Sequence, residues 1–379
     1  MRRAWVGRLV SVGAMLALGC SSSSTSSSPY GTDSGGGNGD GGGFPNSDGG
    51  TGTDGTMPPG DSGGPPPGDA QPPPRDSGGP PSLALSTNIQ IVVEPGDNGQ
   101  QLLSAIQGAQ SSVHVTMYLL DDSTFIQAFI NLKSAGKDVK VMLNQNFIGG
   151  MGSNQSAYDS LSSAGVTVAW APAGYSLTHE KCVIIDGKTA WIMTMNMENS
   201  SPSNREYLAI DTDLADVQEA DAIFGADMAN KSYAPSGALV VAPNNARAKM
   251  LQLIATATKT IDVEGEELSD YMIVGALASA QMAGIHVRVV LSDTTPSTSE
   301  QMAITQLKAA SVPLVSVSSP YIHAKAFVVD GKTMYVGSAN FTTGSLQYNR
   351  ELGVLTANAT AVGSVASTIN GDFGSGSPL

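Results

Sequence analysis

Two short histidine-containing segments hold the residues of this chain that are best suited to catalysis. Each places a lysine two positions after a histidine, as His179-x-Lys181 and His323-x-Lys325, and the two histidines are 144 residues apart (323 − 179). Imidazole can act as a nucleophile or a general acid near neutral pH, while ammonium groups stabilise developing negative charge. The chain contains four histidines in all. The pairing therefore predicts one centre that acts on an anion such as a phosphodiester.

The segments that follow the two histidines align without a gap. Each carries an aspartate and an asparagine at matching positions and a later glutamate displaced by a single residue: Asp186, Asn196 and Glu206 in the first, and Asp330, Asn340 and Glu351 in the second. The glutamates are predicted to accept from a ring nitrogen of a catalytic histidine and so to fix its tautomer. The asparagine amides are predicted to donate to phosphoryl oxygens. Each aspartate precedes a glycine, and because Asp-Gly favours a hairpin turn, both aspartates are predicted to be structural.

The duplication extends well beyond these segments. Before its histidine, each half shows the order β-α-β-α-β-α-β, with amphipathic stretches at 101–110 and 246–258 as the first helices. Gly136 and Gly284 follow the last apolar residue of the next helix in each half, which predicts that those helices end there. The regular alternation predicts an α/β fold in each half.

Two tandem half-domains are the architecture that this duplication predicts. They would span residues 83–235 and 236–379 and be related by a pseudo-two-fold axis, with the active site at their interface. Each histidine segment would lie on loops at strand ends, where catalytic residues are commonly found. Because one chain then holds both segments, we expect a monomer, and no protein partner is predicted.

These residues resemble the phospholipase D superfamily, whose signature His-x-Lys-x4-Asp-x6-Gly-Ser-x-Asn occurs here twice. The second copy fits throughout, whereas the first has Met193-Thr194 in place of the Gly337-Ser338 of the second. Thr194 keeps the hydroxyl group, but Met193 lacks the backbone freedom of a glycine. The resemblance implies phospholipase D-like α/β/α half-domains, and it covers essentially all of residues 83–379.

The resemblance also implies a mechanism. The family hydrolyses or transfers phosphodiesters through a covalent phosphohistidine and without a metal, so no cofactor is predicted. On that basis His179 is the nucleophile and His323 the acid. Lys181 and Lys325 would supply fixed positive charge. The hydroxyl groups of Thr194 and Ser338 would bind substrate together with the asparagines.

The first 82 residues predict export. Arginines precede a short apolar run at 9–18, which is the layout of a signal peptide over residues 1–19. The following Cys20 resembles a bacterial lipoprotein cleavage site, which predicts lipidation and anchoring at the outer membrane, with plain secretion as the alternative. Residues 20–82 are almost wholly Gly, Ser, Pro, Asp, Asn and Thr, and predict a disordered linker.

Charge and three further residues limit the choice of function. Residues 83–379 hold 26 acidic and 15 basic side chains, a balance that argues against non-specific binding of nucleic acid. Cys182 lies in an apolar run and is predicted to be a buried small side chain rather than a nucleophile. Arg205 and Arg350 could form salt bridges or contact substrate, and the sequence leaves both open.

Three hypotheses for function remain. The first is an exported phospholipase D-like phosphodiesterase that hydrolyses or transfers phospholipid head groups at a membrane surface. The second is a metal-independent endonuclease of the same superfamily. The third is a surface binding module in which Met193 and Thr194 have impaired catalysis.

Overall fold

The computed structural model describes residues 82–147 and 152–379. The predicted signal peptide, Cys20 and the predicted linker before residue 82 lie outside the described residues. Among the residues that are described, no helix combines the length and the apolar character needed to cross a lipid bilayer.

Both halves alternate strands and helices in the predicted order. The first half contains β1 (Ile89–Glu94), α1 (Gln100–Gln107), β2 (Ser112–Met117), α2 (Ser123–Ser134), β3 (Asp138–Leu143), α3 (Gln155–Ser163), β4 (Thr167–Trp170), β5 (Lys181–Ile185), β6 (Thr189–Met193), β7 (Glu206–Asp211) and α4 (Leu214–Met228). The second half contains β8 (Leu239–Ala242), α5 (Ala246–Ala255), β9 (Thr260–Gly265), α6 (Tyr271–Met282), β10 (His286–Ser292), α7 (Thr298–Ala309), β11 (Leu314–Val317), β12 (Lys325–Val329), β13 (Thr333–Gly337), α8 (Thr343–Gln347), β14 (Glu351–Thr356), α9 (Ala359–Ser375) and β15 (Ser377–Pro378). The run β-α-β-α-β-α-β before β5 and before β12 confirms the predicted order.

The helix ends show where local sequence decides the structure. Gly136 and Gly284 follow α2 and α6 with φ angles of 78° and 91°, which confirms both as helix stops. Helices α1 and α5 end at Gln107 and Ala255, earlier than predicted. The backbone amides just beyond each helix donate to Asp186 or Asp330, so the chain there leaves the helical path.

The strands of the described residues form a mixed sheet in each half. The first sheet has the order β1-β7-β6-β5-β2-β3-β4, and the second has β15-β11-β10-β9-β12-β13-β14-β8. Strands β2, β3 and β4 are parallel, as are β9, β10 and β11, because a helix connects each to the next. The remaining neighbours pair antiparallel.

This topology places the candidate catalytic residues at one edge of each sheet. Strand β5 runs antiparallel to β2 and pairs Lys181 with Met117, so its first residues lie beside the carboxyl end of β2. Strand β6 ends and β7 begins at the same edge, where Met193 pairs with Leu208. The carboxyl edge of parallel strands is a common position for binding sites in α/β proteins.

Three groups of buried apolar side chains form the core. One lies between the first sheet and α1, α2 and α3, and a second packs the second sheet against α5, α6 and α7. The third joins side chains of both halves, among them Ile184, Val328 and residues of α4 and α9. Cys182 belongs to this third group and is 2% exposed, as predicted for a packing residue.

Candidate active site

The two predicted histidines line one cavity. The cavity has a volume of about 720 Å³ and is lined by His179 and Asn196 of the first half and by His323 and Asn340 of the second. His179 is 9% exposed and His323 is 8% exposed. The two halves therefore face each other across the cavity, as the duplication predicts.

Each of these histidines is held by a glutamate from the other half. Nδ1 of His179 lies 3.1 Å from both carboxylate oxygens of Glu351. Nδ1 of His323 lies 2.8 Å from Oε1 of Glu206. The sequence predicts glutamate–histidine pairs, and the structure adds that they are crossed between the halves. A glutamate on Nδ1 leaves Nε2 of each ring as the nitrogen available for chemistry.

Backbone contacts reinforce this crossing. The N–H of His179 donates to the carbonyl oxygen of Arg350 at 2.9 Å, and the N–H of His323 donates to that of Arg205 at 3.2 Å. Each arginine directly precedes one of the paired glutamates. The positions of the histidine and its glutamate are thus linked through both the main chain and the side chains.

The charge state of the first pair follows from its burial. Burial lowers the pKa of His179, and the charge of Glu351 only partly opposes this effect. Burial disfavours ionisation of Glu351 as well, but the interaction with His179 holds the pKa of this carboxyl below its ordinary value. With a proton on Nδ1 facing the Glu351 carboxylate, the neutral ring of His179 presents a lone pair at Nε2.

Both lysines lie behind the histidines and are completely buried. Nζ of Lys181 donates to the carbonyl oxygen of His179 at 2.6 Å, and Nζ of Lys325 donates to that of His323 at 2.7 Å. Burial lowers the pKa of Lys181 to about 7, although Glu351 opposes the shift. A charge at this depth acts through a medium of low effective dielectric constant, where it is more strongly felt than in water.

Thr194 and Ser338 occupy positions that differ from the prediction. Both are completely buried and lie outside the cavity lining. Thr194 Oγ1 donates to Glu206 at 2.5 Å, and Ser338 Oγ donates to Glu351 at 2.6 Å. These hydroxyl groups therefore orient the glutamates that hold the histidines, and the predicted contact with substrate is corrected to this positioning role.

The second half has Gly337 where the first half has Met193, and the two residues are packed in different ways. Gly337 does not have a positive φ angle, so its backbone conformation does not require a glycine. A Cβ at Gly337 would lie 2.4 Å from Gly353 Cα and 2.7 Å from the hydroxyl of Tyr335. In the first half Met193 pairs with Leu208 and is completely buried. The expectation that Met193 would disturb the first loop is therefore corrected.

Arg205 and Arg350 form salt bridges that also cross between the halves. Arg205 donates to Asp372 of α9 at 2.6 Å and 3.0 Å. Arg350 donates to Asp227 of α4 at 2.8 Å and 2.9 Å, and it is 1% exposed. Of the two interpretations that the sequence left open, the structure shows the salt bridge at both positions.

The two motif aspartates form the hairpin turns that the sequence predicts. Asp186 and Asp330 have φ angles of 56° and 53°, and each is followed by a glycine at 61°. Asp186 accepts from the amides of residues 110, 111 and 112, and Asp330 from those of residues 258, 259 and 260. Burial opposes ionisation, but these hydrogen bonds lower the pKa of both carboxyls to about 2.

Replacing Asp186 with alanine is expected to destabilise the fold without changing the cavity. The variant loses the acceptor for three amides and places a Cβ-bearing residue without a polar side chain at positive φ, which costs about 2 kcal/mol in the free energy of unfolding. Urea denaturation measures this cost. Asp186→Asn is the control and should cost less, because asparagine tolerates positive φ and keeps an acceptor oxygen. Lost activity at unchanged stability would contradict the structural role.

Tyr118, Glu266 and Glu267 are among the residues of the cavity lining that were not found from the sequence. Tyr118 follows β2 and Glu266 follows β9, so they occupy matching positions in the two halves, and Glu267 comes next. The ring of Tyr118 lies 4.6 Å from that of His179. Oε2 of Glu266 lies 2.8 Å from Nζ of Lys325. A signal was present, since two adjacent glutamates directly follow strand β9 at the edge where the histidines lie.

Comparison with known proteins places this duplicated site in a family. The sequence profile described as "Cardiolipin synthase, PLD-like domain" matches the chain twice, at residues 102–228 and 250–373. Together these matches cover more than half of the chain, and each contains one His-x-Lys segment. The chain belongs to the phospholipase D superfamily. This result confirms the resemblance seen in the sequence and the presence of two phospholipase D-like domains.

Curated relatives from the phospholipase D superfamily share low overall identity with the chain. "Probable cardiolipin synthase YwiE" of Bacillus subtilis (strain 168) is 23% identical over 319 residues, which cover 73% of this chain and 64% of the relative. "Cardiolipin synthase 2" of Bacillus anthracis is 22% identical over 72% of this chain and 62% of the relative. "Phospholipase D" of Rickettsia prowazekii (strain Madrid E) is 31% identical over 27% of this chain and 50% of its own length. The chain thus spans less than two thirds of these relatives.

Solved structures support the phospholipase D-like fold. A phosphatidylserine synthase from Haemophilus influenzae Rd KW20 matches with a TM-score of 0.61 and 12% identity, and covers 78% of this chain and 89% of its own. A polyphosphate kinase from Porphyromonas gingivalis matches with a TM-score of 0.59 and 15% identity, over 79% of this chain and 51% of its own. At such identities the likeness concerns the fold alone.

Proposed function

We propose that this protein cleaves or transfers phosphodiester head groups of phospholipids through a covalent phosphohistidine. The observation that carries the proposal is the convergence of His179 and His323 on one cavity, each with Nδ1 held by a glutamate of the opposite half. Two imidazoles oriented in this way can serve as nucleophile and proton donor in the same reaction.

The surroundings of the two rings favour different roles. Burial lowers the pKa of His179, which favours the neutral ring that a nucleophile needs. His323 lies between two carboxylates, with Nδ1 at 2.8 Å from Glu206 and Nε2 at 3.5 Å from Glu266. Because Nδ1 is held by Glu206, Nε2 is the ring nitrogen of His323 that can transfer a proton, which suits a general acid. The geometry thus supports the assignment that the family resemblance implies.

The reaction then proceeds in two balanced steps. In the first, Nε2 of His179 attacks phosphorus, the bond to the leaving alcohol breaks, and His323 gives its proton to the leaving oxygen. In the second, water or an acceptor alcohol gives a proton to His323 and attacks phosphorus, and the phosphorus–nitrogen bond breaks. In this proposal Lys181, Lys325 and the amides of Asn196 and Asn340 stabilise the phosphoryl charge. An alcohol in the second step gives transfer, and water gives hydrolysis.

A phospholipid substrate is supported by the relatives, whose names include cardiolipin synthases and a phospholipase D. The mirrored contacts of Thr194 and Ser338 also favour an active enzyme over an impaired binding module, because both glutamates are held alike. Export and lipidation of Cys20 stay predictions from the N-terminal sequence.

The proposed function is tested with a substrate panel. The full chain is incubated with vesicles of phosphatidylcholine, phosphatidylethanolamine or phosphatidylglycerol, with and without glycerol as acceptor, and released head groups and new lipids are quantified. We expect turnover of at least one lipid, and it should persist with chelator. A parallel incubation with single- and double-stranded DNA tests the nuclease hypothesis. Cleavage of DNA together with inactivity on every lipid would overturn the proposal.

A further inference from the structure

Glu266 is the most densely bonded carboxylate of the cavity lining. Its Oε2 accepts from Nζ of Lys325 at 2.8 Å and from Nδ2 of Asn340 at 3.2 Å. Nε2 of His323 lies 3.5 Å from the same oxygen. The other oxygen, Oε1, accepts from the hydroxyl of Tyr321 at 2.8 Å. Four donor groups from separate positions in the chain thus converge on one anion.

These donors are the ones that the proposed reaction needs for the phosphoryl group in the second half. Lys325 and Asn340 are the cation and the amide of the second signature, and His323 is the proton donor. A carboxylate of the chain itself accepts from Lys325 and Asn340 and lies 3.5 Å from Nε2 of His323. Burial opposes the charge on Glu266, but His323 and Lys325 hold its pKa well below the ordinary value. The low pKa favours the ionised form of the Glu266 carboxyl.

The first half has a different group at the matching position. Tyr118 follows β2 as Glu266 follows β9, and its ring lies 5.0 Å from Nζ of Lys181. In the described part of the chain, the salt bridges include no carboxylate within 4.0 Å of Nζ of Lys181. The two halves have matching histidines, each held at Nδ1 by a glutamate. They differ in the residue beside the lysine, which is an uncharged tyrosine in the first half and a carboxylate in the second.

We propose that Glu266 shares Lys325 and Asn340 of the second half with the bound phosphate and makes the site discriminate against doubly charged phosphomonoesters. A phosphodiester carries one negative charge, whereas a monoester near pH 8 carries two. A fixed negative charge in contact with the bound phosphate repels the second charge of the monoester more than it repels the diester. The inference rests on the proposed function, since hydrolysis of a phospholipid yields a monoester that must leave the site.

The test measures binding and requires no turnover. Titration calorimetry at pH 8 compares methyl phosphate, a monoester, with dimethyl phosphate, a diester, on the full chain. For wild type we expect tighter binding of dimethyl phosphate. In Glu266→Gln, affinity for methyl phosphate should rise at least about ten-fold, and more than affinity for dimethyl phosphate, because the repelling charge is gone. The preference for the diester should shrink or invert.

Two further variants make the result specific. Asp159→Asn removes one exposed negative charge on α3 outside the cavity lining, and both affinities should stay within about two-fold of wild type. Glu266→Tyr copies Tyr118 and should tighten methyl phosphate as Glu266→Gln does. Thermal unfolding checks that each variant is folded.

The inference is overturned if both Glu266 variants fold and bind methyl phosphate no more tightly than wild type. In that case Glu266 positions Lys325 and does not compete with the ligand. Failure of the proposed function gives a different pattern: wild type would turn over no lipid, while the shift in anion affinity of Glu266→Gln could still be present.

Discussion

Replacing His179 with alanine is expected to abolish turnover, with a loss of at least about 10³-fold in kcat, because the variant lacks the imidazole that forms the covalent intermediate. Wild-type protein quenched in acid-free denaturant after mixing with a phosphodiester labelled at phosphorus should carry the label, and His179→Ala should not. Mass spectrometry of the digested chain then locates the label. The variant should bind dimethyl phosphate within about ten-fold of wild type, since it loses a small part of the anion contacts.

His323→Ala is the matched comparison for this experiment. It lacks the proton donor but keeps the nucleophile, so labelling of His179 should depend on the leaving group. With an alkyl leaving group the first step should be slow, whereas a p-nitrophenyl ester leaves without a proton and should label His179 even in this variant. Label on His323 in either protein would reverse the two assignments. Equal rescue of both histidine variants by the p-nitrophenyl ester would exclude a covalent intermediate on His179.

The second large effect is expected at Glu351. Glu351→Gln should lower kcat by about 10²–10⁴-fold, because a neutral amide can no longer hold His179 in the tautomer that presents a lone pair at Nε2. The structure predicts which step fails. Since Glu351 contacts His179 of the other half, formation of the phosphohistidine should be slow with every leaving group, including p-nitrophenol. Burst kinetics with a p-nitrophenyl phosphodiester measure this step.

Glu206→Gln is the control that tests the crossing. Glu206 contacts His323, so this variant should lose activity on alkyl substrates and regain most of it with p-nitrophenyl esters. If each glutamate served the histidine of its own half, the two variants would show the opposite dependence on the leaving group. Circular dichroism before the assays excludes loss of fold as the cause in either variant.

Much of the site could be predicted because its residues belong to a repeat. Alignment of two halves identifies His179 with His323 and Glu206 with Glu351 without any structure, and the Asp-Gly pairs carry their turn conformation in the local sequence. The alternation of strands and helices was predicted for the same reason. These features depend on contacts that are local or on positions that occur twice.

The features of the site that could not be predicted from the sequence depend on how the two halves pack against each other. Which glutamate holds which histidine is decided by contacts between residues more than 100 positions apart, such as His179 with Glu351 and His323 with Glu206. The roles of Thr194 and Met193 were misjudged because burial and neighbouring side chains are not visible in a motif. Glu266 was missed because it has no counterpart of the same type in the first half.

The crossed contacts also bear on how such a chain can have arisen. If one half existed as a separate polypeptide, two copies related by a two-fold axis would supply a glutamate to each other's histidine in the way that Glu206 and Glu351 do here. Joining the copies in one gene preserves that exchange while removing the requirement that they be identical. In such a history, the difference between Tyr118 and Glu266 at matching positions would have become possible only after the fusion.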